Sequence, residues 1–316
     1  MRAIQIVELG GPESLQLADI DEPAGEGVVI DVRAAGVSFP EVLQSRGQYQ
    51  LKPELPFVPG SEVAGVVRED GGGFRAGERV AAFSMLGGFA ETVVAQPQFT
   101  FRLHDALDFA QGAGLILNYH TAYFSLVNRG RLRAGETVLV HGAAGGVGTA
   151  SIQVAKGLGA RVLAVVSSDE KAEVARAAGA DEVLRADGAW KDEAKALGGA
   201  DLVLDPVGGD RFTDSLRSLN LDGRLVVVGF TGGSIPEVKV NRLLLNNLDV
   251  VGAGWGAYIT QRPETIAEVA AKLDALIEAG HVRPVVGARF PLEEATKALQ
   301  LIDGRGATGK VVLEPR

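Results

Sequence analysis

The sequence predicts an α/β protein: a parallel sheet covered by helices on both faces, joined to a second domain built mainly of short strands. Two patterns carry that reading. In the middle of the chain, apolar strands alternate with helical stretches six times, and strands apolar throughout belong to a parallel sheet buried on both sides. Toward the N-terminus, short strands are punctuated by Gly10-Gly-Pro12, Gly71-Gly-Gly73 and Gly87-Gly88, the pattern of an all-β, barrel-like domain.

The central block opens with Glu136-Thr-Val-Leu-Val-His-Gly-Ala-Ala-Gly-Gly-Val-Gly148. Val138, Leu139 and Val140 read as a buried strand, and residues 150–156 continue as a helix with apolar positions at helical spacing. Gly142, Gly145 and Gly148 let the chain turn tightly and let backbone N–H groups approach a ligand with no Cβ in the way. The helix dipole points its positive end at whatever fills the turn, which favours a pyrophosphate. Strand, glycine turn and helix in this order form a dinucleotide-binding signal. Further strands are expected at 159–166, 181–184, Ala200–Asp205, 223–229 and 248–252, with helices at 169–178, 190–197, 211–219 and Asn241–Asn246.

In the first third, strands are expected at 3–7, 15–18, 28–33, 61–67, Arg79–Phe83 and 89–94. A helix at Phe39–Ser45 interrupts them, with Pro40 in its first turn, where a missing N–H does no harm. Beyond the sixth parallel strand come a long amphipathic helix at 263–279, a segment at 282–290, a helix at 292–302 and a closing strand at 309–313. About 60 residues are too few to bury a core alone, so this tail is expected to pack back on the N-terminal domain. The expected division is 1–121, 122–255 and 256–316, with both ends forming one catalytic domain and the site in the cleft beside the nucleotide domain.

At 316 residues the chain is long enough for two domains, each with its own core, and 46% hydrophobic with 22% charged residues is an ordinary globular composition. No apolar run reaches the ~18–20 residues of a membrane span. The opening Met1-Arg-Ala-Ile-Gln-Ile-Val-Glu8 has no apolar signal core, so the cytoplasm is the expected compartment. A net charge of −9 speaks against a nucleic-acid surface. With no cysteine, disulfides, thiolate catalysis and every cysteine-based zinc site are excluded. The four histidines, His104, His120, His141 and His281, are not paired at metal-ligand spacing. They read as packing or surface residues, although His141, at the end of the first central strand, also reads as a contact near a cofactor.

Ordered motifs along the chain carry a resemblance. They are Gly10-Gly-Pro12, Ala35-Gly-Val-Ser-Phe-Pro-Glu41, Arg46-Gly-Gln-Tyr49, Leu55-Pro-Phe-Val-Pro-Gly-Ser-Glu62 and Thr121-Ala-Tyr123. His141-Gly-Ala-Ala-Gly-Gly-Val-Gly148, Asp205-Pro-Val-Gly-Gly209, Gly229-Phe230 and Gly309-Lys310 follow. Over nearly its whole length the chain resembles the medium-chain dehydrogenase/reductase superfamily, and within it the zinc-free quinone oxidoreductases, the group that includes zeta-crystallin. The resemblance implies a Rossmann NADP-binding domain, doubly wound, and a GroES-like β-barrel catalytic domain. It implies no metal: the zinc-dependent alcohol dehydrogenases carry cysteine where this chain has Ser38 and histidine where it has Ser61. The four-cysteine structural loop is missing as well. Glu62 remains, and alone it reads as a structural carboxylate.

A dinucleotide fold usually ends its second strand on an acid that binds the adenine ribose. Here Val166 stands there, followed by Ser167 and Ser168, which removes repulsion against a 2′-phosphate and supplies donors. NADPH is therefore favoured, and Lys171 matches the position where the resembled reductases use a lysine on that phosphate. Asp169 reads better as a helix N-cap than as a ribose ligand. The resemblance implies cofactor contacts from Phe39, Gly145, Gly146, Val147, Ser167, Ser168, Lys171, Gly229, Phe230, Thr231, Gly254, Trp255 and Arg305. Trp255 either walls the nicotinamide side or packs between domains. An apolar edge strand at 248–251 is the one that pairs across a dimer axis in this family, so a homodimer is expected.

With no metal, thiol or histidine base, the cofactor must carry the hard step. Its hydride needs an acceptor that is already electron-poor, a quinone or a conjugated enone, and the protein supplies orientation and hydrogen bonds to the oxygen that gains charge. Ser38 and Tyr49 are the candidate donors, with Tyr49 reading equally well as a packing residue. The family pattern usually has asparagine at the Ser38 position, and some relatives have tyrosine where this chain has Leu43. NADPH-dependent quinone reduction is the leading reading. Its rivals are an enoyl or alkenal double-bond reductase and a non-catalytic, crystallin-like nicotinamide-binding or RNA-associating protein.

Overall fold

The computed structural model describes residues 1–315. The chain opens with β1 (Arg2–Ile6), β2 (Leu15–Asp19) and β3 (Val28–Val37), followed by α1 (Phe39–Ser45). Then come β4 (Glu62–Val67), β5 (Arg79–Phe83), β6 (Thr92–Ala95), β7 (Thr100–Arg102), α2 (Phe109–Gly112) and α3 (Ile116–Tyr123). The middle alternates β8 (Thr137–His141), α4 (Gly146–Gly157), β9 (Arg161–Val166), α5 (Asp169–Ala177), β10 (Glu182–Arg185), α6 (Trp190–Ala196) and β11 (Ala200–Asp205). It continues with α7 (Phe212–Ser218), β12 (Leu219–Val227), α8 (Asn241–Asn246), β13 (Asp249–Gly252), α9 (Trp255–Ile259) and α10 (Glu264–Glu278). The chain returns with β14 (Val286–Pro291), α11 (Ala295–Asp303) and β15 (Lys310–Glu314).

Two compact units result: Met1–Leu117 with the stretch from Pro284 onward, and Asn118–Arg283. In the second, the strands run parallel in the order β10-β9-β8-β11-β12-β13. That is the doubly wound order, and it reverses between β8 and β11, where open sheets of this kind bind ligands at their carboxyl ends. Leu139, Leu163, Val203 and Leu225 pack one face of the sheet against Trp190, Phe212 and Leu216 of the covering helices. The apolar runs of the sequence map directly onto these strands. Residues 256–283, expected with the terminal domain, pack instead in this unit. The reason is local: the side-chain amide of Gln153 on α4 donates to Arg283 O and its oxygen accepts from Arg283 N, both at 2.9 Å. Those two bonds pin the chain beyond α10, whose Ile266, Val269, Leu273 and Ile277 are buried.

In the terminal unit a mixed sheet runs β14-β15-β3-β4-β5-β7, with β6 also on β3. The tail contributes its edge: β15 lies antiparallel to β3, and Val312 faces Gly36. On the other side of β3, Gly36 faces Glu62. Ile30, Val32, Val63, Phe89, Leu299 and Leu313 form part of the core around this sheet. The sequence located β1 to β6 and β15 to within a few residues, gave 282–290 no secondary structure where β14 stands, missed β7 and left α2 and, at the boundary of the two units, α3 unassigned. These are short elements with little periodicity to read.

Gly36 has a steric task. A Cβ there would lie 2.2 Å from Ala113 O, 2.6 Å from Lys310 Cε and 2.7 Å from Glu62 Cγ. The missing side chain therefore lets Lys310 on β15 reach across β3 to the carboxylate of Glu62 on β4, with which it forms a buried ion pair. Gly36→Ala is expected to destabilise the protein by about 1–3 kcal/mol, the usual cost of overpacking a filled interior. Urea unfolding followed by hydrogen exchange in β3, β4 and β15 measures the loss and locates it.

Candidate active site

In the nucleotide unit the site is built from backbone. β8 ends at His141, and Gly142 turns the chain at φ 58°, with Gly145 N–H donating to Gly142 O at 3.0 Å. Gly148 packs directly on that turn, since a Cβ would meet Gly142 O at 2.2 Å. α4 then starts from Gly145 with no side chain capping it. Gly145, Gly146 and Val147 are partly exposed, so the first turn of a twelve-residue helix presents its N–H groups to an anion. The cradle fits the pyrophosphate of a dinucleotide.

The neighbouring strand end carries the polar groups. Past Val166 at the end of β9, Ser168 is the N-cap of α5 and accepts from Lys171 N–H at 3.3 Å. The helix cap is thus Ser168 and not Asp169. Lys171 Nζ donates to Ser167 Oγ at 3.3 Å, so the two side chains expected to read a 2′-phosphate stand together. Asp169 pairs with Arg185 at the end of β10, which also donates to Ser167 O at 3.2 Å. Arg185 was not foreseen; it brings a second cation beside Ser167, and its place at the end of the third parallel strand is the signal for it.

At the other side of the switch point, Asp205 ends β11 and accepts from the N–H groups of Val207 and Gly208, both at 2.9 Å. The following loop takes hydrogen bonds from the stretch after β12: Thr231 donates to Pro206 O from both N (3.1 Å) and Oγ1 (3.0 Å). Gly229, Phe230 and Thr231 are held there with surface to spare, Phe230 above Gly208, whose missing Cβ leaves room for the ring. Gly254 is exposed as the N-cap of α9, whereas Trp255 is 2% exposed and lies edge-on against His120 at 5.7 Å. Its ring belongs to the packing of this unit and has almost no surface left for a cofactor. His141 is likewise a packing residue: buried, bonded to Ser215 Oγ at 2.8 Å and edge-on to Trp190. Burial lowers its pKa to about 3, so it is neutral.

The remaining expected residues belong to the terminal unit. Phe39 is half-buried at the start of α1, and Arg305 is exposed in a left-handed turn after α11 (φ 57°). Ser38 precedes α1, whose third residue, Glu41, reaches back to accept from Ser38 N–H at 2.9 Å. Glu41 is wholly buried and also accepts from Ser61, from its N–H at 3.1 Å and from its hydroxyl. Lys310 Nζ donates to Ser38 Oγ at 2.6 Å and to Glu62, whose other oxygen accepts from Leu117 N–H at 2.8 Å. Burial pushes both carboxyls up from their ordinary pKa; the Ser61 hydroxyl opposes it at Glu41, and the Lys310 charge opposes it at Glu62. Tyr49 is half-buried, and burial together with the nearby Glu41 charge raises its phenol.

Glu41 and Lys310 were given no part by the sequence reading. Ser38-x-x-Glu41 is a capping-box spacing, and a lysine inside the apolar run Lys310-Val-Val-Leu-Glu314 signals a buried partner. Zinc in such enzymes takes thiolate, imidazole and carboxylate ligands. Here Ser61 is spent on Glu41, and Lys310 occupies both Ser38 and Glu62. This donor set does not fit a zinc ion.

Residues 24–105 match the family described as alcohol dehydrogenase GroES-like domain, and residues 146–275 that described as zinc-binding dehydrogenase. The quinone oxidoreductase of Rattus norvegicus is 37% identical, with 99% of this chain and 97% of that protein covered. Among solved structures, a probable oxidoreductase from Mycobacterium abscessus superposes with a TM-score of 0.91 at 46% identity, over 100% of this chain and 99% of that one. The quinone oxidoreductase of Thermus thermophilus, solved also in complex with NADPH, has a TM-score of 0.87 at 39% identity over 99% and 100% of the two chains.

Lys171→Ala is expected to weaken NADPH binding by about 10- to 150-fold, the worth of a charge-assisted hydrogen bond to phosphate, and to leave NADH binding nearly unchanged. Titration of both cofactors by fluorescence checks this; equal weakening of the two would assign Lys171 another task.

Proposed function

Because the chain belongs to the quinone oxidoreductase family of the medium-chain dehydrogenase/reductase superfamily, we propose that it reduces a quinone with NADPH and without a metal ion. The observation that carries the reading is the uncapped start of α4, flanked by Lys171 and Ser167, beside a chain that offers no zinc donors at Ser38 and Ser61. When bound, NADPH supplies a hydride to the electron-poor acceptor, and one proton from water completes the quinol. The protein's own part is to hold, orient and polarise. The N–H groups of Gly146 and Val147 take the pyrophosphate, while Ser167, Ser168 and Lys171 take the 2′-phosphate. Gly229, Phe230, Thr231 and Gly254 line the carboxyl edge. The family resemblance assigns cofactor contacts to Phe39 and Arg305 as well. Ser38 and Tyr49 present hydroxyls to the acceptor oxygen.

We place a second copy of the chain on β13, giving a homodimer. β13 is the outer strand of the parallel sheet, and in the stretch of chain before it Ile235, Leu244 and Leu245 are each at least 75% exposed, with Val240 at 70%. An apolar strand edge and such side chains need cover. No helix among the described residues is long and apolar enough to cross a membrane.

An acceptor panel tests the reaction: NADPH oxidation followed with a para-quinone, with an alkenal and with no acceptor, each with and without a chelator. Quinone-dependent oxidation insensitive to the chelator is expected. Turnover of the alkenal alone would make the protein a double-bond reductase, and activity lost to chelator and restored by zinc would overturn the metal-free reading. Sedimentation tests the dimer: the unaltered protein is expected at twice the chain mass, and Leu244→Asp with Val250→Lys at the mass of one chain.

A further inference from the structure

Lys310 does more than neutralise Glu62. Among the described residues, the neutral donors around the two carboxylates give their hydrogens to acceptors within the cluster. Ser61 gives its hydroxyl and its N–H to Glu41, Ser38 gives its N–H to Glu41, and Leu117 gives its N–H to Glu62. Lys310 Nζ is shared between Glu62 and Ser38 Oγ. Among the described residues, the Ser38 hydroxyl is the neutral donor of the cluster for which no acceptor within it is found, since Lys310 can only donate to its oxygen. Ser38 is also the polar member with the most free surface, 9%, where Glu41 and Glu62 have none. An oxygen that accepts from an ammonium ion is depleted of charge, so its own O–H becomes a stronger donor.

The stem of Lys310 is fixed as firmly as its head. A Cβ on Gly36 would strike Cε, and one on Gly114 would crowd Cγ at 3.1 Å. The stem thus packs directly on two glycines, and moving the ammonium away would abandon Glu62. We propose that Lys310 is a positioning residue that acts through Ser38: it holds Ser38 Oγ as an acceptor, frees the Ser38 O–H from the cluster, and strengthens it as the donor to the acceptor oxygen that gains charge. No proton leaves Lys310. The inference rests on the reading of Ser38 as a donor to the acceptor, and extends it.

The test is a double-mutant cycle on the full chain with NADPH saturating. Lys310→Met is made together with Glu62→Gln, so that no lone charge is left buried. This pair is expected to lower kcat about 10- to 150-fold, as Ser38→Ala does, with NADPH affinity unchanged. Adding Ser38→Ala to the pair is expected to cost nothing further. Tyr49→Phe, whose hydroxyl has no cation identified beside it among the described residues, is expected to cost only about 2- to 13-fold. Losses that multiply in the triple variant would overturn the proposal, because a merely structural lysine acts independently of Ser38. Should the pair variant fail to fold, Ser38→Ala against Tyr49→Phe decides: a Ser38 loss no larger than the Tyr49 loss overturns it. The acceptor panel on the unaltered protein separates this outcome from the functional reading. If only an enone is turned over, quinone reduction falls and the cycle is run on the enone; if neither is reduced, both fall.

Discussion

Glu62 and Lys310 lie on opposite sides of β3, one wholly buried and the other 3% exposed, and much of the terminal unit is arranged around keeping them together. Taking two charges out of water costs several kcal/mol for each, so such a pair persists only with close geometry and further hydrogen bonds. Both conditions are met: Leu117 N–H and Ser38 Oγ complete the shell, and Gly36 and Gly114 clear the path. Removing one partner would leave a lone buried charge, at a cost of about 3–5 kcal/mol. The same pair sets the polarity of the neighbouring hydroxyl. Between Ser38 and Glu62 this chain holds a cation that is part of the polypeptide.

The two units build their polar surfaces by different means. The nucleotide unit relies on backbone N–H groups, freed by Gly142, Gly145 and Gly148, and on strand ends that are neighbours because of strand order. Loop is tied to loop there by main-chain acceptors, as in the bonds from Thr231 to Pro206. The terminal unit relies on side chains, two carboxylates and an ammonium, each satisfied by a neighbour more than fifteen residues away. Backbone sites tolerate much change in side-chain identity; a charge cluster does not.

That difference decides how much was legible. The parallel sheet could be read because its strands are continuous apolar runs and its turn is dense in glycine. Ser167 and Ser168 could be proposed because they directly follow a strand, whereas Lys171 came from the family resemblance. Glu41 and Lys310 could be seen as motif members but given no role, since their partners are set by register: Gly36 opposite Glu62 on one side and Val312 on the other. Register between distant strands leaves no local trace in composition. The placement of residues 256–283 failed for the same reason, because the amide of Gln153 and the backbone of Arg283 carry no periodic signal. Trp255 misled by its position just past a strand, where burial against His120 had no counterpart in the sequence.

The 248-residue interval between Glu62 and Lys310 has a consequence for the chain as it is made. At roughly 5–20 residues per second on the ribosome, Lys310 follows Glu62 by about 12–50 s. The nucleotide unit is contiguous from Asn118 to Arg283 and can be complete within that delay. β3 meanwhile has no partner along residues 35–37 on the side that β15 will take, and Glu62 lacks the ammonium that neutralises it. β15 both fills the place between β3 and β14 and neutralises the charge. The terminal unit therefore cannot be complete until β15 has been made, after the whole of the chain that interrupts it.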